Sequence, residues 1–143
     1  MTAPATEIIA RAVIRRDGRL LLARERTKSW SFLPGGHVEP GERVETALVR
    51  EIAEELGTEA TITGFAGVVE YGYLDDTGAH HELNLVFEVT ITGAAPVSQE
   101  EHLEFRWLPL DQLADTDVGP DALKNALLAT GDDRTPFWRG WPG

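Results

Sequence analysis

Runs of apolar residues separated by turn sequences predict that this chain has more strands than helices. Two apolar runs flank Asp17 and Gly18, a pair of residues that favours the tight turn of a β-hairpin. Two longer runs, 65–74 and 81–91, lie on either side of another turn sequence and predict two further strands. A further apolar run at 105–110 predicts a short strand.

Helical periodicity is confined to three segments. From about residue 43 to 56 the apolar residues recur at intervals of three and four, and Gly57 follows as a natural C-terminal cap. Shorter helices are predicted at 111–116 and 120–130. Residues 31–42 hold several prolines and glycines, which predicts a shaped loop before the first helix.

These elements predict an α/β (α+β) fold in which helices flank a central mixed β-sheet. The helices are too few for a doubly wound parallel sheet. The 143 residues contain no repeat or linker, so a single domain is expected over residues 1–143, with its core at about 8–129. The tail at 130–143 is aromatic and lacks periodicity. Because exposed aromatic side chains are a liability, the tail is expected to pack on this domain or on a second copy in a homodimer.

Charge and composition limit the ligands that this chain can bind. A net charge of −11 disfavours nucleic-acid polymers, which are bound by neutralising phosphates with Lys and Arg. A small phosphorylated substrate would also be repelled unless divalent cations lay between it and the carboxylates. The chain has no cysteine, no signal-peptide pattern and no apolar run long enough to span a membrane. A cytoplasmic protein without a membrane partner is therefore expected.

Three glutamates gather on one face of the first predicted helix. Glu51, Glu54 and Glu55 stand at positions i, i+3 and i+4, and no lysine is interspersed among them. The apolar residues expected to pack on the sheet lie on a neighbouring face and are Leu48, Val49, Ile52, Ala53 and Leu56. The acidic face is either a solvated helix surface or a set of ligands for a hard divalent cation such as Mg²⁺, which prefers oxygen ligands.

The loop and helix together resemble the Nudix box of the Nudix hydrolase family. That pattern is Gly, five residues, Glu, seven residues, then Arg-Glu-apolar-any-Glu-Glu-any-Gly-apolar. The matching residues are Gly36, Glu42, Arg50, Glu51, Ile52, Glu54, Glu55 and Gly57. Thr58 departs from the pattern, since the family prefers an aliphatic residue there. The resemblance extends over about residues 8–129 and implies an α/β/α sandwich.

The resemblance also implies an activity and a role for each matching residue. Nudix enzymes use Mg²⁺ or Mn²⁺ to hydrolyse a nucleoside diphosphate linked to another moiety, by attack of water on phosphorus. Glu51, Glu54 and Glu55 match the family's metal ligands, and Gly35 is expected to add its backbone carbonyl. Arg50 and Glu42 are expected to be structural: such an arginine ties the loop to the helix and orients the catalytic glutamate, and Arg50 could also pair with Glu54. The general base is either Glu51 or a glutamate outside the box.

A binding protein is the alternative to an enzyme. Some Nudix-fold proteins act as sensors that bind ADP-ribose or a nucleotide sugar without cleaving it. Such members usually lose glutamates of the box, and this chain keeps all of them. The resemblance therefore favours a pyrophosphohydrolase with a small nucleotide-type substrate.

Two further groups of residues are candidates for contact with the substrate. Arg24, Arg26 and Lys28 follow the second predicted strand, where they form either a cationic patch for phosphate or ordinary charges at a strand end. Aromatic side chains either stack on a nucleobase or pack in the core, and the candidates are Trp30, Tyr71, Tyr73 and Phe87. Tyr73 is preferred because it lies near the position of marker residues in some Nudix subgroups.

A fourth carboxylate is expected from the segment that precedes Trp107. Nudix enzymes often supply another glutamate from a loop opposite the box, and Glu101 has the family's spacing of six residues before the tryptophan. Glu100 and Glu104 lie on either side of it. The other explanation is that all three are solvated loop charges.

Overall fold

In the computed structural model, which describes residues 4–93, 97–130 and 133–143, eight strands form two β-sheets. The strands are β1 (Thr6–Val13), β2 (Arg15–Arg16), β3 (Arg19–Glu25), β4 (Gly35–His37), β5 (Ala60–Asp75), β6 (Gly78–Ile91), β7 (Leu103–Pro109) and β8 (Phe137–Arg139). The helices are α1 (Val44–Leu56), a 3₁₀ helix (Leu110–Asp115) and α2 (Asp121–Thr130).

The larger sheet is mixed, as the sequence predicted. Its five strands run in the order β4-β1-β6-β5-β8. Strand β1 is parallel to β6, and β8 is parallel to β5, whereas the other two pairings are antiparallel. The smaller sheet is antiparallel and has the order β2-β3-β7.

The predicted hairpin at Asp17 and Gly18 is confirmed, but it joins only part of the apolar run before it. Both turn residues have positive φ, 54° and 74°, which fits the two-residue loop between β2 and β3. The preceding strand β1 pairs with β6 instead of β3. One apolar run therefore supplies strands to both sheets.

The core lies in two layers because successive side chains of the strands point to opposite faces. One buried cluster joins Leu48 and Ile52 of α1 to Phe87 of β6. The other joins Leu123 of α2 to Val86, the neighbour of Phe87 on the same strand. Helices α1 and α2 thus cover opposite sides of the sheets, which confirms the expected arrangement of a mixed sheet flanked by helices.

Several elements differ from the sequence-based prediction. Strands β4 and β8 lie in segments that were predicted as loop and as unstructured tail. The tail packs on its own domain, since β8 pairs with β5 at Gly67–Val69 and Phe137 contacts the core. Val49 and Ala53 of α1 are exposed, because the buried face of the helix is turned toward Ala47 and Glu55 instead. Among the described residues, no helix is long and apolar enough to cross a membrane.

Candidate active site

Helix α1 places its three clustered glutamates in different environments. The helix ends at Gly57, which has φ 62° and donates its N–H to the carbonyl of Ala53. The side chain of Glu54 is 53% exposed, whereas that of Glu51 is 18% exposed. Glu55 is buried, with 6% of its surface exposed. A solvated helix face does not account for a carboxyl group buried to this extent.

Arg50 connects the loop before the helix to two of these glutamates. Its Nε and Nη2 donate to the two carboxylate oxygens of Glu42 at 2.8 and 3.0 Å, the forked geometry that suits guanidinium and carboxylate. Its Nη1 donates to Oε1 of Glu51 at 3.1 Å and to Glu54 at 3.3 Å, and its Nη2 donates to the carbonyl of His37 at 3.3 Å. The hydrogen bond from Arg50 lowers the pKa of Glu42.

The two glycines of the loop allow the glutamates to approach the backbone closely. A Cβ on Gly36 would lie 2.5 Å from the carboxyl carbon of Glu51, so any side chain there would displace that carboxylate. Gly35 has φ 141°, and a Cβ on it would lie 2.0 Å from the carbonyl oxygen of Ala10 in β1. The N–H of Gly35 donates to Oε2 of Glu55 at 3.2 Å. Strand β4 therefore brings the loop backbone against both carboxylates.

Burial raises the pKa of Glu55 to about 8, because a buried carboxylate loses the solvation of its charge. The hydrogen bond from Gly35 acts in the opposite direction, as does the charge of Arg11, whereas the charges of Glu51 and Glu100 raise the pKa further. Burial also raises the pKa of Glu51, against the effect of Arg50. Glu55 is therefore poised to hold or release a proton near neutral pH.

Arg11 is a functional candidate that the sequence analysis missed. It lies on β1, where Nη1 donates to the carbonyl of Leu33 at 3.1 Å and Nε donates to Oδ1 of Asn84 at 3.4 Å. Burial lowers the pKa of Arg11, while the charges of three glutamates, Glu82, Glu55 and Glu51, oppose this effect. The signal in the sequence was a single cation inside an otherwise apolar strand.

A cleft of about 540 Å³ lies beside Arg11 and has aromatic walls. Its aromatic residues are Trp30, Phe32, Tyr71, Tyr73 and Trp141. The polar side chains that line it are Arg11, Glu70, Glu82, Asn84 and Asp121. Of the four aromatic candidates from the sequence, Trp30, Tyr71 and Tyr73 line this cleft, whereas Phe87 is buried in the core on the side of α1.

Tyr73 is held in the cleft by ring stacking and by a neighbouring carboxylate. Its ring stacks on His80 with centroids 4.5 Å apart and on Tyr71 with centroids 5.3 Å apart. Its hydroxyl donates to Oε2 of Glu82 at 3.5 Å. Burial and the charge of Glu82 raise the pKa of Tyr73 to about 12, so the hydroxyl stays protonated as a donor.

The three cations that were candidates for phosphate binding are not among the residues that line this cleft. Arg24 donates to Glu104 through Nε at 2.7 Å and also through Nη2, and Arg26 donates to the other oxygen of Glu104 at 3.2 Å. The Nη1 of Arg24 also donates to the carbonyl of Lys28 at 2.7 Å, and Lys28 itself is exposed. Both arginines thus connect β3 to β7, which matches the strand-end explanation more closely than a free cationic patch.

The segment 97–102 lies against the C-terminal end of α1. The N–H of Gln99 donates to the backbone carbonyl of Glu55 at 2.8 Å, and the Gln99 side chain packs on Gly57. Glu101 has an exposed side chain, and its backbone carbonyl accepts a hydrogen bond from Nε of Arg26 at 2.8 Å. Glu100 is partly buried, and its charge contributes to the raised pKa of Glu55.

The donor set on α1 is suited to a hard divalent cation, although its carboxylates are paired with Arg50. Within residues 4–93, 97–130 and 133–143, no three His, Cys, Asp or Glu side chains converge into a ready-made metal site. Glu51 and Glu54 both accept from Arg50. Carboxylate oxygens are the ligands such a cation prefers. A cation there would stabilise the ionised form of Glu55 against its burial and against the charges of Glu51 and Glu100.

Comparison with known proteins relates the chain to one family. The family described as NUDIX domain matches residues 6–127. The chain is 51% identical over 61 residues to the CTP pyrophosphohydrolase of Escherichia coli K12, an alignment that covers 39% of this chain and 44% of that protein. It is 33% identical over 104 residues to the ADP-ribose pyrophosphatase of Methanocaldococcus jannaschii, which covers 71% of this chain and 60% of that protein.

The chain thus spans 44% and 60% of the length of these two curated relatives. Among solved structures, the solution structure of the E. coli ORF135 protein superposes with a TM-score of 0.71 and 28% identity. That superposition covers 92% of this chain and 94% of the ORF135 chain. The fold is therefore matched almost from end to end.

Proposed function

Because this chain belongs to the Nudix hydrolase family, we propose that it is a pyrophosphohydrolase that cleaves the phosphoanhydride bond of a nucleoside diphosphate linked to another moiety. The observation that carries this proposal is the arrangement around Arg50. One arginine fixes Glu42 of the loop and Glu51 of the helix, while the loop glycines lie against Glu51 and Glu55. These contacts support the assignment of the loop and helix α1 as the hydrolytic motif of the family.

The cleft supports a nucleotide as the substrate. The aromatic side chains that line the cleft suit a planar base, since base stacking needs only an exposed ring face. The two curated relatives are named for CTP and for ADP-ribose, both of which contain a base and at least one phosphoanhydride bond. Arg11 lies at the side of the cleft and its charge acts on Glu51 and Glu55, so the cleft and helix α1 are neighbours. We infer that the base enters the cleft and that the diphosphate lies toward Arg11.

We propose that Mg²⁺ or Mn²⁺ is bound by Glu51, Glu54 and Glu55, with the backbone carbonyl of Gly35 and a glutamate of the segment 97–102, Glu101 by family spacing. A divalent cation bound there would neutralise charge that develops on the phosphoryl oxygens and would lower the pKa of a water molecule. The three helix carboxylates have the required chemistry, and a cation would add to the charge of Arg11 in stabilising the ionised form of buried Glu55.

The residues of the chain divide the remaining work between orientation and proton transfer. Arg50 orients Glu51, whose carboxylate lies on the backbone at Gly36. We propose that the proton of the attacking water passes to Glu51 or to a glutamate of the segment 97–102, both of which lie beside Glu55. Tyr73, with its hydroxyl kept protonated, contributes to the wall of the base site.

The acidic charge supports a small-molecule substrate rather than a nucleic-acid polymer. A surface with a net charge of −11 repels polyanions, and only cations bound at the site would allow a diphosphate to approach. We also propose a cytoplasmic location, since the chain has no cysteine for disulfide formation.

The proposal is tested by incubating the purified protein with Mg²⁺ and with CTP, ADP-ribose, a UDP-sugar or a dinucleoside polyphosphate. Products are separated by ion-exchange chromatography, and the reaction is repeated in water enriched in ¹⁸O. We expect cleavage between two phosphorus atoms and one ¹⁸O atom in a phosphate product. Tight binding without turnover of any of these compounds would favour a sensor and would contradict the proposal.

A further inference from the structure

The C-terminal segment forms part of the cleft although it lies outside the matched NUDIX domain. The domain match ends at residue 127, whereas Gly140, Trp141 and Pro142 all line the cleft. Strand β8 brings them there, because it pairs in parallel with β5 at the edge of the large sheet. The family domain alone would leave this side of the cleft open.

Trp141 is held in position by contacts with Gly72, Glu70 and His81. A Cβ on Gly72 of β5 would lie 2.3 Å from the Trp141 ring, so only glycine leaves room for the indole there. The backbone N–H of Trp141 donates to Oε1 of Glu70 at 3.1 Å, and the other oxygen of Glu70 is 2.7 Å from Nε2 of His81. The Trp141 ring lies 5.8 Å from the His81 ring.

Trp141 nevertheless remains 42% exposed, and a second tryptophan in the cleft is similarly exposed. Trp30 is 40% exposed, packs beside Phe32 with ring centroids 5.6 Å apart, and lies over Gly119. Two fixed, half-exposed indoles that line one cleft form an apolar surface typical of ligand sites. Phe32 also lies under the guanidinium of Arg11, 5.6 Å from ring centroid to Cζ, so the aromatic surface continues toward helix α1.

We propose that Trp141 is a specificity-determining residue that stacks on the base of the nucleotide, so that the C-terminal segment completes the base pocket. This inference rests on the proposed function, because it assigns a subsite to the same substrate. Stacking on Trp141 requires an aromatic ring on the ligand and involves no contact with the diphosphate. Trp141 therefore contributes to affinity and to discrimination between substrates, and it leaves the hydrolytic step unchanged.

The test compares Trp141→Ala with Trp138→Ala, a change in the same segment at a tryptophan that is 62% exposed and does not line the cleft. Stacking of one base on an aromatic ring predicts a rise of about 5- to 150-fold in KM for CTP or ADP-ribose in the Trp141 variant, with kcat within about twofold. Trp138→Ala is expected to leave KM unchanged. Trp141→Phe is expected to restore most of the affinity.

Competing ligands separate stacking from a general loss of structure. The inhibition constant of AMP or CMP is expected to rise in Trp141→Ala, whereas that of inorganic pyrophosphate, which has no base, is expected to stay unchanged. Equal KM values for wild type and Trp141→Ala, or a parallel loss of pyrophosphate inhibition, would overturn the inference.

A second pair of variants tests the position of the Trp141 indole without removing it. Gly72→Ala forces Trp141 out of its place, whereas Gly64→Ala, on the same strand, puts its Cβ 3.9 Å from the nearest side chain. Gly72→Ala is expected to raise KM as Trp141→Ala does, and Gly64→Ala is expected to leave it unchanged. An unchanged KM in Gly72→Ala would contradict the inference, provided that thermal melting shows both variants folded.

Direct binding distinguishes this inference from the proposed function. Calorimetry of AMP and CMP binding is performed on the wild type and on Trp141→Ala, whether or not hydrolysis is observed. If the wild type binds these nucleotides but hydrolyses nothing, the proposed function fails and weaker binding by Trp141→Ala still supports the base pocket. If it hydrolyses diphosphates and binds AMP no better than phosphate, the inference alone is wrong.

Discussion

At the scale of single residues, one turn of helix α1 holds carboxylates with three degrees of burial. Glu54 faces solvent, Glu51 lies between Arg50 and the backbone of Gly36, and Glu55 is buried with its pKa raised to about 8. Three glutamates that are equivalent in the sequence pattern therefore differ in burial and in their surroundings. The buried member is the one most altered by a bound cation, because it has the least solvent to stabilise its charge.

Replacing Glu55 with glutamine is expected to remove activity without unfolding the protein. Loss of a ligand charge weakens a contribution of several kcal/mol from the metal, so kcat is expected to fall by roughly 100-fold or more. Glu45→Gln is the matched control, since Glu45 is an exposed glutamate in the first turn of the same helix. Steady-state rates at saturating Mg²⁺ measure the effect, and unaltered kcat in Glu55→Gln would refute its role.

The same variant is expected to change how stability depends on pH. Between the ordinary pKa of a glutamate, about 4.5, and about 8, native Glu55 keeps a proton that the unfolded chain releases. Stability of the metal-free wild type therefore falls as pH rises through this range, by at most about 1.4 kcal/mol per pH unit from this group. Glutamine does not titrate, so Glu55→Gln is expected to be increasingly more stable than wild type from pH 5 to pH 8.5. Urea unfolding in EDTA measures this, and parallel pH profiles would contradict it.

Glutamine variants at Glu100, Glu101 and Glu104 test which of these three glutamates completes the site. Glu101→Gln is expected to lower kcat by roughly 100-fold or more, the low end of what a lost proton-transfer group costs. Glu100→Gln and Glu104→Gln are expected to stay within a few-fold of wild type. Glu104 is already paired with Arg24 and Arg26, whereas the charge of Glu100 reaches Glu55. A damaging Glu100→Gln would therefore move the assignment by one residue, and three harmless variants would remove it.

At the scale of elements, the site depends on a contact between a short strand and a helix. Strand β4 has three residues and pairs with β1, which holds the glycine loop beside α1. Arg50 joins the two by binding Glu42 and the carbonyl of His37. The loop thus has its conformation fixed from one side by a sheet edge and from the other by a single arginine.

Arg50→Ala is therefore expected to destabilise the fold more than Glu55→Gln does. The change breaks a forked pair and leaves Glu42, whose side chain is 16% exposed, without its cation. Loss of these charge-assisted hydrogen bonds leaves the loop without this link to helix α1. Arg43→Ala, at an exposed arginine that precedes the same helix, is the control. Melting temperatures without metal provide the comparison, and equal or reversed effects would count against the role assigned to Arg50.

Local patterns predicted the long elements, whereas the short ones depend on distant partners. Periodicity and Gly57 predicted helix α1 to within a residue, and two strand-like runs across a turn sequence predicted the β5–β6 pair. Strands β4 and β8 have three residues each, too few for a pattern, and exist because β1 and β5 offer free edges. The cleft was not predicted either, because its lining residues come from segments that are distant in the sequence.

The same distinction applies to the residues of the site. Box spacing selected Glu51 and Glu55 as candidates because they lie on one helix, but it gave no sign of how deeply Glu55 is buried. Arg11 was missed because its importance arises from Asn84 and Leu33, residues far away in the sequence. Arg24 was assigned as a candidate for phosphate binding, yet its partner Glu104 lies across the β3–β7 pairing, which a single sequence does not display.

At the scale of the whole molecule, an acidic protein is proposed to bind an acidic substrate. The net charge is −11, and Glu70, Glu82 and Asp121 add carboxylates around the cleft itself. Arg11 is the cation among the side chains that line the cleft. One arginine, already hydrogen-bonded to Leu33 and Asn84, does not offset this charge for a diphosphate. Cations must therefore supply the remaining positive charge, either bound to the substrate when it arrives or bound to the protein beforehand.

Divalent cations are therefore expected to control both activity and stability. Hydrolysis is expected to stop on addition of EDTA and to return with Mg²⁺ or Mn²⁺, whereas KCl at equal ionic strength has no such effect, because screening does not place charge between carboxylate and phosphate. Without substrate, a cation that binds the native protein at 100 times its Kd adds about 2.7 kcal/mol to the free energy of unfolding. Wild type is thus expected to melt at a higher temperature with Mg²⁺ than with EDTA, and Glu55→Gln, which lacks the buried charge, is expected to gain much less. Activity that survives thorough chelation would refute the metal requirement, and an equal gain in Glu55→Gln would place the stabilising cation away from helix α1.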